Sequence, residues 1–265
     1  MLHASRVKTA VLAGLMTALA AFGAQAADLT VGANIGNVPW EFEDASGKVT
    51  GFEVDLVTEI AKRLGKSVEF VNTPFAGLFP AVQSGRINMA VSSITITEKR
   101  LESVSFAQPY YDSDQSLTVT AASGITGLKG MSGKVVGVDT GSTGDMWAEA
   151  HKGEYKFGEI RRFEGLQPAM LDVVAGRVDG YISDIPALLY YAKDKPELKV
   201  VERIPTGEKY SIMFNKGDPL ATEVNKVITT LKGEGFIAKL HETWFGAKAE
   251  GTTSTVAVLD MPKAK

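Results

Sequence analysis

The chain has 265 residues, 45% hydrophobic and 22% charged, with a formal charge of −3 and no cysteine. That is the composition of a globular protein. The missing cysteines exclude a disulfide framework, a thiol nucleophile and a lipid-bearing cysteine, and no Lys/Arg cluster offers a nucleic acid an electrostatic footprint.

In chain order, residues 1–26 read as a secretion signal. Arg6 and Lys8 precede the small apolar run TAVLAGLMTALAAFGA (9–24), and Ala24-Gln25-Ala26 supplies an A-x-A cleavage pattern. A membrane anchor needs about 20 consecutive apolar residues, more than this run holds. Cleavage after Ala26 would leave 239 of the 265 residues, with a charge of about −5 because Arg6 and Lys8 depart without an acid. That length suits one large domain or two small ones. No second apolar run reaches spanning length, so the mature chain is expected to be soluble, outside the cytoplasmic membrane.

LTVGANI (29–35) predicts a strand, and Asp44-Ala-Ser-Gly47 supplies turn chemistry in the loop after it. FEVDLVTEIAKRLG (52–65) spaces Leu56, Val57, Ile60, Ala61 and Leu64 as a helix stopped by Gly65. SVEFV (67–71) predicts a strand, FAGLFPAVQSG (75–85) a short helix and INMAVSS (87–93) a buried strand. This β-α-β-α-β order implies a helix-covered, largely parallel sheet. PYYDSDQSLTVT (109–120) predicts an extended crossing. The order then repeats: KVVGVD (134–139), the loop and helix TGSTGDMWAEA (140–150), the helix FEGLQPAMLDVVAGR (163–177) and the strand VDGYISD (178–184). EKYSIMFNKGDPL (208–220) reads as the return crossing and residues 223–246 as closing helices; the tail 247–265 lacks periodicity and is expected to be loosely packed.

SGRINMAVSS (84–93) and AGRVDGYISD (175–184) are the same phrase written twice, sharing Gly-Arg and, six residues on, a serine. Each copy is read as the helix end, glycine turn and buried strand of one α/β lobe. Two such lobes, joined by two crossings, would face each other across a cleft, and open α/β sheets bind ligands at the carboxyl ends of their strands. The copies end there, in Ser92-Ser93 and Ser183-Asp184.

Three features nearby carry chemistry. Thr97 reads as an N-cap, or Thr95 and Glu98 as a capping box, and either puts Arg100 in the first turn of a helix. A cation is mildly unfavourable there, and its planar fork suits a carboxylate in two-point contact; an exposed arginine would also be tolerated. Asp184 ends an apolar strand, where an unpaired carboxylate is costly, so a ligand ammonium, a lysine or an exposed loop would have to satisfy it. Thr140-Gly141-Ser142-Thr143-Gly144 opens a helix and offers free N–H groups to an anion, without the lysine of a phosphate loop. Together they describe a pocket cationic on one side and anionic on the other, which matches an α-amino acid.

The runs GFEVDLVTEIAKRLG, FAGLFPAVQSGRINMAVSSITITEKRLESVSFAQPYY, KVVGVDTGST and VAGRVDGYISD resemble the periplasmic amino-acid-binding proteins of ABC importers, the family-3 extracellular solute receptors. The resemblance covers most of residues 29–246. It implies the two-lobed α/β periplasmic-binding-protein fold (type II): signal 1–26, first lobe 27–113 and 210–246, second lobe 114–209, tail 247–265. It further implies that the ligand carboxylate goes to Arg100, Thr95 and Thr143, and the ammonium to Asp184 and Ser93, while Phe75 packs on the ligand. Ser92 and Ser142 complete the expected site. Relatives that take basic amino acids or glutamine often carry Asp where this chain has Asn34 and an aromatic where it has Asn37. Two amides offer a cation no anion, so a polar uncharged side chain is expected. Gly144, smaller than in some relatives, would leave room for bulk. Neither cofactor nor metal is implied, and the expected partners are a small-molecule amino acid and the membrane subunits of an ABC permease, with the receptor a monomer.

An enzyme on the same fold, dehydratase-like or a lyase, is the alternative. His151 and His241 lie far apart, no H-E-x-x-H or Ser/His/Asp arrangement appears, and Glu41, Glu43 and Glu164 read as solvated loop charges. A sensor ectodomain would need a membrane segment after the domain, and none is seen. The mechanism expected is hinge closure: capture through Arg100 and Thr95, then approach of Asp184 and Thr143.

Overall fold

The computed structural model describes residues 27–264; the secretion signal expected over 1–26 lies outside the described residues. The chain runs β1 (Leu29–Ala33), the short hairpin β2 (Phe42–Glu43) and β3 (Val49–Thr50), α1 (Phe52–Arg63), β4 (Val68–Asn72), α2 (Phe75–Gln83), β5 (Met89–Ala90), α3 (Glu98–Leu101) and β6 (Val104–Phe106). It leaves this lobe along β7 (Tyr111–Thr120). The second lobe follows as β8 (Val135–Asp139), α4 (Thr143–Tyr155), β9 (Glu159–Phe163), α5 (Leu166–Val174), β10 (Gly180–Asp184) and α6 (Ile185–Ala192). β11 (Leu198–Tyr210) returns to the first lobe, which β12 (Met213–Asn215), α7 (Leu220–Gly233) and α8 (Phe236–Phe245) complete.

Each lobe is built on its own sheet, ordered β4-β1-β5-β12-β6 in the first and β11-β7-β10-β8-β9 in the second. β1 lies parallel between β4 and β5, and β8 parallel between β9 and β10. Helices cover both faces, which is why the inner strands β1 and β8 are apolar runs, while the edge strands β4 and β9 carry polar residues. In the first lobe Leu56, Val57 and Ile60 of α1 pack on β1 with Val224 and Ile228 of α7, while Leu78 and Val82 of α2 fill the other face. α1 forms as its spacing predicts, with Glu53 and Asp55 in the first turn and Lys62 and Arg63 in the last, matching the helix dipole.

The duplicated phrase folds the same way twice. Gly85 and Gly176 take φ of +72° and +71°, a left-handed turn that glycine enters without strain. The Arg86 and Ile87 amides both donate to the Ala81 carbonyl, and the Arg177 and Val178 amides both donate to that of Asp172. Asn88 then reaches β1 through the Thr30 N–H (2.7 Å), as Asp179 reaches β8 through the Val135 N–H (2.8 Å). These side chains fix where each strand starts, and so where its carboxyl end points.

β7 and β11 form the connection between the lobes, pairing antiparallel from Leu198↔Thr120 to Tyr210↔Tyr111 with a break in register between Ile204 and Glu208. The tail is not loosely packed. Ser254 and Thr255 are buried, the Ser254 N–H donates to Asp112 (2.8 Å), and Lys232 Nζ donates to the carbonyls of Ala257 (2.8 Å) and Pro109 (2.7 Å). The Leu259 N–H donates to Gln108 (3.0 Å). These contacts are polar and made largely by backbone, so they leave no periodic trace in the sequence. Among the described residues no helix is long and apolar enough to cross a membrane.

Candidate functional site

The carboxyl ends of β1, β5, β8 and β10 converge between the lobes around a cavity of about 30 Å³. All ten residues singled out from the sequence line it: Asn34, Asn37, Phe75, Ser92, Ser93 and Thr95, then Arg100, Ser142, Thr143 and Asp184. Asp139 and Ser183, which sequence reasoning missed, line it too. Sites for small molecules typically run to about 300 Å³ or more, so the cavity as it stands is too small for an amino acid.

Arg100 lies on α3, which Thr97 caps by accepting from the Arg100 N–H (3.1 Å). Its guanidinium is buried against the rings of Phe75 and Phe79, 5.4 and 5.1 Å from their centroids. It donates to the carbonyls of Thr95 (2.7 Å) and, across the cleft, Gly141 (3.2 Å). Among the described residues no carboxylate comes within ion-pair distance of it. Burial lowers its pKa to about 10, opposed by the more distant charges of Glu208 and Asp184. A buried cation without a paired anion is costly, and a ligand carboxylate would relieve that cost.

Asp184 accepts from Ser93 Oγ (2.9 Å) of the first lobe and Gln115 Nε2 (2.6 Å) of the crossing strand β7. Burial, reinforced by Glu208, pushes its pKa up to about 7. Glu208, on β11 just past the break in register, accepts from Thr95 (2.6 Å) of the first lobe and Thr143 (3.0 Å) of the second, as well as from Gln115 (2.9 Å). Thus the two threonines expected to hold a ligand carboxylate meet over an internal one. Gln115 and Glu208 sit in segments recognised only as crossings, and a crossing strand does not announce which face it turns to a cleft.

Two further expectations need correction. Asp139 ends β8 facing the cavity, so the cleft holds an acid besides Asp184 that the reading from Asn34 and Asn37 left out. Its Oδ1 is shut off from solvent without a hydrogen bond, and burial pushes its pKa to about 7. The sequence did hold the signal: a carboxylate at the end of a parallel strand, the position that marked Asp184. Gly144 opens no room for a ligand either, because a Cβ there would lie 2.8 Å from Gln115 Oε1 and 2.9 Å from the Ile182 carbonyl oxygen.

Glu41 is no solvated loop charge. It is fully buried beside Glu53, and burial with the Glu53 charge drives its pKa well up, which a shared proton explains. Glu41 accepts from Ser92 Oγ (2.6 Å) and Asn37 Nδ2 (3.3 Å), while Glu53 accepts from the Ser93 N–H (2.9 Å) and the Tyr110 hydroxyl. Ser93 has φ +45°, unusual for a residue with a Cβ, and this pair holds the backbone there. Glu43 and Glu164 are exposed, as expected. His151 stacks on Trp147 of its own helix and His241 on Tyr111; neither lines the cavity.

The sequence profile of the bacterial extracellular solute-binding proteins, family 3, matches residues 29–247. The chain is 31% identical over 254 residues to a probable histidine-binding protein of Neisseria gonorrhoeae, covering 89% of this chain and 94% of that one. Its fold is similar to that of an ancestral arginine-binding protein bound to arginine, with TM-score 0.78 and 35% identity over 82% of this chain and 98% of that one. It is also similar to an ancestral amino acid-binding protein described as a precursor of cyclohexadienyl dehydratase, with TM-score 0.74 and 36% identity over 82% and 95%. With a match that spans both sheets and the crossings between them, the chain belongs to the bacterial extracellular solute-binding proteins, family 3.

Proposed function

We propose that this protein is a periplasmic receptor for an α-amino acid with a cationic side chain, which it grips by closing its lobes and delivers to an ABC-type membrane permease. The observation that carries the reading is Arg100: a buried guanidinium packed against two aromatic rings and lacking a carboxylate partner among the described residues. A ligand carboxylate supplies that partner in two-point contact. Asp184, facing it from the other lobe, takes the α-ammonium together with Ser93 Oγ.

The charge balance argues for a cationic side chain. Asp184, Asp139 and Glu208 stand against Arg100 alone. A zwitterion leaves that excess of negative charge unchanged, whereas a basic amino acid reduces it. The likeness to proteins named for histidine and arginine agrees. A polar uncharged ligand, expected from Asn34 and Asn37, could donate a hydrogen bond to Asp139 but would leave it without a counter-charge.

Catalysis on this scaffold is the second reading, favoured by the likeness to a dehydratase precursor. The cleft-lining side chains include acids and hydroxyls but no histidine, and the acids lie where they complete a zwitterion. The reading is tested by thermal unfolding of the ligand-stripped protein against a panel of amino acids. At 100 times the dissociation constant a true ligand adds roughly 2.7 kcal/mol, a rise of about 5 to 10 °C in midpoint. Shifts confined to basic amino acids support it; shifts with none, or conversion of the bound compound seen by mass spectrometry, refute it.

A further inference from the structure

We infer that Asp139 is the residue that selects for a positive charge on the ligand side chain, and that it does so from the second lobe, at closure. The inference rests on the amino-acid reading above and assigns that site its charge-determining group.

Asp139 is the last residue of β8 and lies on the wall of the cavity opposite Asn34 and Asn37 of the first lobe. Its Oδ1 is sealed from solvent and has no partner within hydrogen-bond distance; the buried hydroxyl of Tyr181, likewise unpaired, lies close enough to act on it. A buried carboxylate oxygen without a partner costs stability. Arg162 and Arg161 lie on β9, which pairs with β8, but Arg162 is engaged by Asp145 (2.9 Å) and Glu149 (2.6 Å), and Arg161 by Glu159 (2.9 Å). Among the described residues no cation is paired with Asp139. The Gly165 N–H and the Tyr181 hydroxyl only partly offset its burial. A guanidinium or ammonium carried in by the ligand completes the group.

The surroundings give that cation a path. A second small cavity, about 50 Å³, continues from Asn34 and Asn37 toward Gly165 and the exposed carboxylate of Glu164. A ligand whose α-carbon lies between Arg100 and Asp184 would run its side chain past Asn34 along this line, with Asp139 on one wall. On the first lobe the side chain meets amides, which bind neutral and charged groups alike. Charge is read only when β8 arrives. Capture by the first lobe is therefore tolerant, and closure is selective.

The test is calorimetric titration of the ligand-stripped protein and of Asp139→Asn and Asp139→Glu with arginine, lysine and citrulline, the last being arginine with a neutral end group. Asp139→Asn should weaken arginine and lysine by about 100-fold, the scale of removing one partner of a buried charge pair, and change citrulline by less than about 3-fold. Asp139→Glu keeps the charge and should keep the preference for arginine over citrulline. If Asp139→Asn holds arginine within about 3-fold of the parent, Asp139 does not read the side chain and the inference fails while the receptor reading stands. Loss of all three ligands alike in both variants would mark Asp139 as structural, which also overturns it. A parent protein that binds neither arginine nor lysine would refute the cationic reading and this inference together.

Discussion

Ser93 Oγ donates to Asp184 Oδ2 at 2.9 Å, joining the final residues of the two copies of the duplicated phrase across the cleft. The copies start from identical glycine turns and equivalent strand anchors, so they deliver equivalent positions to the same place from opposite sides. One delivers a hydroxyl and the other a carboxylate. In the proposed function that difference lets the pair take an ammonium, while Arg100, on the short helix just after the first copy, is the opposite pole.

Arg100 is the residue whose loss should be least tolerated in binding. Arg100→Lys keeps the charge but not the planar fork, and should weaken amino-acid binding by at least about 100-fold, near 3 kcal/mol. Arg100→Ala should abolish measurable binding. Both should remain folded: Arg100→Ala removes an unpaired buried charge, and Arg100→Lys leaves a cation that can still donate to the Thr95 carbonyl. Calorimetry, with circular dichroism for the fold, checks this.

The raised carboxyls make stability depend on pH with a definite sign. Asp139 and Asp184 sit at about 7 against 3.8 unfolded, and Glu41 is raised as well. Between roughly pH 4 and 7 the folded chain therefore binds more protons than the unfolded one, so stability falls as pH rises through that window. Depressed groups such as Asp112 act below it. The midpoint of the ligand-free protein should drop between pH 5 and 7.5. Asp139→Asn should flatten the drop, and a basic amino acid should bind more tightly at pH 7.5 than at pH 5, releasing protons.

The buried Glu41–Glu53 pair holds the turn that presents Ser93. Glu41→Gln supplies an amide N–H where the pair otherwise needs a shared proton, and should be tolerated or stabilising above pH 7. Glu41→Leu strands the Ser92 hydroxyl and the Glu53 carboxylate, costing about 2 to 4 kcal/mol. Urea unfolding distinguishes them.

Deleting residues 247–265 would leave Lys232 short of one acceptor and Asp112 without Ser254. A loss of about 2 kcal/mol is expected, a fall of several degrees in midpoint. An unchanged midpoint would mean that the tail only rests on the crossing strands.

The architecture was legible because it rests on local rules. Helical spacing in residues 52–65, glycine stops at Gly85 and Gly176 and apolar runs ending in polar pairs each leave a mark within a dozen residues. Eight of the ten residues expected at the site follow such marks or match the family's runs, Asn34 and Asn37 were raised as departures from relatives, and all ten line the cavity. What escaped depends on long-range placement. Gln115 and Glu208 lie on crossing strands, and only the finished fold turns them inward. Glu41 looks like a loop charge until α1 brings Glu53 beside it. Asp139 was within reach, since it ends a parallel strand as Asp184 does, but the two asparagines drew the inference toward a neutral side chain.

The most direct measurement is titration of the ligand-stripped protein with arginine and with agmatine, which is arginine lacking its carboxylate. If Arg100 clamps the α-carboxylate, arginine binds at a single site at about the micromolar level or tighter, and agmatine at least about 100-fold more weakly. Equal binding of the two would contradict the clamp, as would the absence of binding by arginine and every other α-amino acid.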